Sequence, residues 1–93
     1  MRRYMIVRTF QVGEDQMPSV GRESREIAEE HFPAIRWEHS HVVVDDEGAV
    51  HTYCVYGASG EEELREHARM LGKHTIDALY EIAGDVTPAD FPS

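Results

Sequence analysis

Ninety-three residues leave room for one hydrophobic core, and 41% hydrophobic with 29% charged residues is the composition of a folded globular chain. A formal net charge of −9 and a pI of about 5.0 set the surface against phosphate backbones and anionic lipids, which argues against nucleic-acid and membrane binding. Cys54 is the only cysteine, so no internal disulfide is available, and no apolar run approaches the roughly 20 residues that span a bilayer or the pattern of a secretory signal. A cytoplasmic location is expected on those grounds.

In chain order, Tyr4 to Phe10 is short, β-branched and aromatic, and predicts a first strand. The stretch Gly13 to Pro18 carries turn residues. From Ser19 to Phe32, Val20, Ile27, Ala28 and Phe32 recur near helical spacing, and Pro33 disfavours helical geometry at Phe32, so an amphipathic helix is expected to stop there. Ile35 to Val44 predicts a second strand, Asp45 to Gly48 a turn, and Val50 to Ala58 a third strand returning as a hairpin. Ser59 and Glu62 have the spacing of a capping box at the start of a second helix. Leu64, Ala68 and Leu71 form its buried stripe, and Gly72 sits at its C-terminal cap. Ile76 to Ile82 supplies a fourth strand, and the tail from Thr87 is expected to be irregular.

The order β-α-β-β-α-β is the ferredoxin-like arrangement: an α+β fold with both helices on one face of an antiparallel sheet. Residues 1–87 are read as a single domain and 88–93 as a tail. The helix-free face must be solvated or covered by a partner, and a homodimer burying two such faces, a dimeric α+β barrel, is the expected assembly.

Alternation along a strand places Trp37, His39 and His41 on one face and Ser40 and Val42 on the other. With Val44 paired to Val50, His41 lies opposite Tyr53, His39 opposite Val55 and Ser40 opposite Cys54. On this register Trp37, His39, His41, His51 and Tyr53 line the open face, whereas Cys54 and Ser40 face the helices and His67 approaches that side. Two imidazoles in H-x-H on one strand form a recurrent half of a transition-metal site, open to nickel, zinc, copper or iron. A tight site needs further ligands, from Tyr53, His51, an acidic residue or a second copy. Cys54 reads either as a thiolate ligand or nucleophile, or as a small buried hydrophobe. His67 reads either as a ligand or acid/base group, or as a helix histidine bonded to the sheet. No phosphate-binding loop, carboxylate pair or Ser-His-Asp order is present.

The runs Arg36-Trp37-Glu38-His39-Ser40-His41, Thr52-Tyr53-Cys54-Val55-Tyr56 and Glu61 to Arg69 (EEELREHAR) follow a W-x-x-S and C-x-Y-x-A…E-x-x-x-R-E-H-A pattern. Over residues 36 to 87 the chain resembles a family of small bacterial proteins, catalogued as a domain of unknown function, that includes a nickel-binding protein with a dimeric ferredoxin-like fold. The resemblance implies a ferredoxin-like dimer and makes nickel the leading metal. Trp37, Ser40, Cys54, Tyr56 and His67 occupy the patterned positions, while His39 and His41 are singled out by their chemistry. The loop Asp45–Ala49 is longer than the family's.

The leading expectation is therefore a homodimeric protein that binds a divalent transition metal, nickel first and zinc as alternative, for sequestration or sensing. Its ligands would come from His39, His41, His67, Cys54 and Tyr53. An alternative is a dimeric barrel enzyme, an oxygenase, isomerase or cyclase, whose small organic substrate would lie between Trp37 and Tyr53 with His39 or His41 as base. A third reading is a non-catalytic interaction subunit.

Overall fold

The computed structural model describes residues 1–92. Its elements are β1 (Arg2–Phe10), a 3-10 turn at Glu14–Gln16, α1 (Met17–His31), β2 (Arg36–Val44), β3 (Val50–Ala58), α2 (Glu61–Leu71), β4 (His74–Glu81) and a second 3-10 turn at Pro88–Asp90. The four strands form one sheet in the order β2-β3-β1-β4, every neighbouring pair antiparallel. This is the expected ferredoxin-like α+β fold.

The alternation of β1 decides which way the sheet faces. Tyr4, Ile6, Arg8 and Phe10 are buried while their neighbours are partly exposed. On β3, Val50, Thr52, Cys54, Tyr56 and Ala58 share that inner face. One core group joins Tyr4, Ile6, Cys54, Tyr56 and Ala58 to Leu64 of α2. A second joins Phe10 and Val50 to Val20 of α1 and Leu71 of α2. Each fully buried Leu, Ile or Val contributes about 1.5–3 kcal/mol relative to exposure. Both helices therefore lie on the inner face, and among the described residues no helix covers the outer face.

Local chemistry sets the boundaries. Phe32 leaves helical geometry before Pro33, so α1 ends at His31. In the β2–β3 turn Gly48 takes φ +85°, and the Asp45 carboxylate accepts the backbone N–H groups of Glu47 and Ala49, both at 2.9 Å. The capping box at Ser59 and Glu62 does not form. Gly60 stays extended, α2 begins one residue later than that spacing requires, and Ser59 instead donates its backbone N–H and hydroxyl to Glu63. At the far end Gly72 and Lys73 both have φ +65°, a turn that leads directly into β4. The tail is not wholly irregular: Thr87 and Asp90 cap each other across Pro88–Asp90, while its last residue, Ser93, lies outside the described residues.

One departure repositions the hairpin. The register Val44–Val50, His41–Tyr53, Ser40–Cys54 and His39–Val55 is as expected, but it shifts between His39 and Trp37. Glu38 is an extra residue, a β-bulge, so Trp37 pairs with Tyr56 and turns to the inner face instead of joining His39 and His41 outside. Glu38 is held where it bulges by Arg3, which reaches it from β1 at 2.8 Å through Nε and 3.2 Å through Nη2.

Candidate functional site

The outer face of the hairpin holds the H-x-H pair. The exposed rings of His39 and His41 have centroids 5.4 Å apart, and Tyr53 stands opposite His41 on β3. His51 lies on this face too, but both ring nitrogens are engaged. Its Nε2 meets Asp45 Oδ2 at 2.8 Å and its Nδ1 meets Thr9 Oγ1 at 3.0 Å, and Thr9 in turn donates to Asp77. The hydrogen bond from His51 is the main reason the Asp45 carboxyl titrates below the ordinary range. Among the described residues no three His, Cys, Asp or Glu side chains converge on a point that could hold a metal ion. Among the described residues, one chain thus offers the His39–His41 pair on this face without a third such ligand.

Cys54 and His67 belong to the other side of the sheet. Cys54 is buried and its Sγ donates to Thr52 Oγ1 at 3.4 Å. His67 is fully buried, between α1 and the sheet. Its Nε2 donates to the carbonyl of Ser24 on α1 at 2.9 Å, so its partner is the neighbouring helix and not the sheet as expected. That bond leaves Nδ1 buried without a partner. Burial pushes the His67 imidazole below its usual pKa, and the positive charge of Arg8 adds to the effect. The five expected ligands are therefore divided: His39, His41 and Tyr53 outside, Cys54 and His67 inside. A buried guanidinium beside the inner pair also opposes a divalent cation there.

The inner residues do form a unit. Trp37 Nε1 donates to Ser40 Oγ at 2.8 Å, and its ring lies over Tyr56 at 6.3 Å and 19°. Tyr56 in turn neighbours His67 at 6.1 Å. The W-x-x-S spacing is intelligible through the bulge, because without Glu38 residues three apart on a strand point to opposite faces. Trp37, Ser40, Cys54 and Tyr56 line a cavity of about 200 Å³ between the sheet and α1. A substrate pocket walled by both Trp37 and Tyr53 is not assembled, since the two residues are on opposite faces.

Arg8 is a site residue that no sequence motif marks. The signal was its parity: a charged residue in step with Tyr4, Ile6 and Phe10 on the core face of β1. It is 2% exposed and lines the same cavity, its guanidinium carbon 5.6 Å from the Tyr56 ring centroid.

Fold and hairpin together define a small ferredoxin-like domain with one uncovered sheet face and a half-open inner cavity. The chain belongs to the family described as nickel responsive protein SCO4226-like, whose model matches residues 4–82. Its structure is similar to the crystal structure of SCO4226 from Streptomyces coelicolor A3(2), with a TM-score of 0.65 at 16% identity, covering 90% of this chain and 99% of that one. At that identity the likeness speaks for the fold alone. Comparison with curated protein sequences finds no match. Among the described residues no helix is long and apolar enough to cross a membrane.

Proposed function

We propose that this chain binds a divalent transition metal, nickel foremost and zinc as the alternative, through His39 and His41, in the service of sequestration or sensing and without turnover. The observation that carries this reading is the pair of exposed imidazoles 5.4 Å apart on a helix-free sheet face. Imidazole is a good ligand for nickel, and the family description supports that metal. The acidic net charge favours a positive guest.

Two imidazoles hold a metal weakly, so the reading includes a second copy. The outer face exposes Val43, Tyr53 and Tyr80, an apolar surface suited to a homodimer. Two facing copies would bring two H-x-H pairs together, with Tyr53 beside each. A cytoplasmic setting fits the lone reduced thiol.

Tag-free, metal-free protein is titrated calorimetrically with nickel and zinc while its mass in solution is measured. Binding tighter than millimolar is expected, on a dimer, and His39→Gln with His41→Gln abolishes it. A wild-type protein with no such affinity, or a double variant that keeps it, overturns the assignment.

A further inference from the structure

The inner cavity contains an unusual group for a core. Arg8 emerges from the centre of β1 into a space walled by Phe10, Val20, Trp37, Val42 and Tyr56. A buried guanidinium is expensive unless a carboxylate or several acceptors surround it. Here the guanidinium lies over the Tyr56 ring, but among the described residues neither Nε nor Nη2 has a hydrogen-bond partner. None of the ion pairs among the described residues includes Arg8, and no Asp or Glu lines the cavity.

The identity of the two unpartnered atoms is informative. Nε and Nη2 form one edge of the guanidinium, and their N–H bonds run parallel, spaced to meet the two oxygens of a carboxylate. The hydroxyl of Thr52 lines the same space. Because its oxygen accepts the Cys54 thiol, its own hydrogen is directed elsewhere. The Ser24 hydroxyl is a further polar group on the α1 side. The remaining wall is aromatic or aliphatic. A cavity of about 200 Å³ falls below the roughly 300–1,000 Å³ of pockets for drug-sized ligands, which limits the guest to a small molecule.

We propose that the cavity between α1 and the sheet binds a small organic carboxylate with a flat apolar body, its two oxygens taken by the Nε–Nη2 edge of Arg8 and its body stacked among Trp37, Tyr56 and Phe10. The guest supplies the negative charge that the core lacks, while Trp37, 42% exposed, stands at the rim. This site is separate from the proposed metal face, since His39 and His41 are on the other side of the sheet.

Trp37 is the only tryptophan and lines the cavity, so its fluorescence is the natural readout. The nickel-free chain is titrated with phenylacetate, with its uncharged counterpart phenylacetamide and with inorganic phosphate. Saturable quenching or a spectral shift is expected with phenylacetate, and affinities at least about ten-fold weaker for the amide and for phosphate. Arg8→Met is expected to weaken phenylacetate binding by at least about ten-fold, and to melt at or above the wild-type temperature because an unpaired buried charge has been removed.

The comparison between acid and amide uses only the wild-type chain and holds even if the variant does not fold. No saturable response up to about 10 mM phenylacetate overturns the proposal. So does an amide or phosphate that binds as tightly as the acid, or a folded Arg8→Met that binds it unchanged. Nickel titration reads the opposite face, so failure of either assignment leaves the other standing.

Discussion

The two faces of one sheet have been given different work. Inside, Arg8, Thr52, Cys54 and Tyr56 alternate with nothing but backbone between them and the outside, yet all are buried and contribute to packing or to a cavity. Outside, His39, His41 and Tyr53 are exposed and pack against little. Residues adjacent in sequence, such as Tyr53 and Cys54, thus have unrelated roles. Stability is concentrated on one face, and the other is at liberty to recruit a metal or a second copy.

The largest effect should follow from emptying the inside. His67→Ala removes a fully buried ring and its bond to Ser24, and should lower the unfolding free energy by about 2–4 kcal/mol in urea titrations. His39→Ala should stay within about 0.5 kcal/mol in the same assay on metal-free protein. A comparable loss in both would erase the contrast and show the His39 ring to be packed in solution.

Acidity sharpens the contrast next. Burial is the leading cause that holds His67 and His74 below their ordinary pKa of 6.5, so the unfolded chain takes protons there before the native one does. The stability they confer is complete above 6.5 and declines as the pH falls from that value toward their folded pKa values. The urea midpoint should therefore drop between about pH 7.5 and pH 5.5. His67→Gln, which keeps an N–H donor for Ser24, should show a shallower drop.

Smaller effects are expected at the hairpin. Ser40→Ala deprives the Trp37 indole of its acceptor, and should cost about 0.5–1.5 kcal/mol with a change in tryptophan emission. Asp45→Asn loosens the turn and its tie to His51, a slight destabilisation at neutral pH. Because the Asp45 pKa is depressed, its contribution is present above the unfolded value of 3.8 and is lost as the pH falls through the folded one. The variant and the parent should therefore converge in acid melts.

Most of the fold was legible because each element carries its own period. The alternation of Tyr4, Ile6 and Phe10, the stripe of Leu64, Ala68 and Leu71, and the glycine turn at Gly48 each specify a local shape that tertiary packing does not overrule. The site was less legible for a specific reason. Strict alternation assigns Trp37 to the histidine face, and a single inserted residue, Glu38, reverses it. The clue was available in the three-residue step from Trp37 to Ser40, which no regular strand can place on one side. The partner of His67 was out of reach, since it is a carbonyl on α1, 43 positions away. Arg8 was readable from its parity alone.

The strand order has a consequence for how the chain reaches this state. β1 is synthesised first, yet it occupies the centre of the sheet, between β3 and β4. Its pairing with β4 joins Tyr4 to Glu81 and Phe10 to His74, so the ends of nearly the whole chain must meet. The hairpin β2–β3, closed by five residues, is the cheapest contact and should nucleate the rest. On a ribosome β1 emerges with both edges bare and waits for its second neighbour until β4 has followed. The turn at Gly72 and Lys73 leads into β4, the strand that ends that exposure.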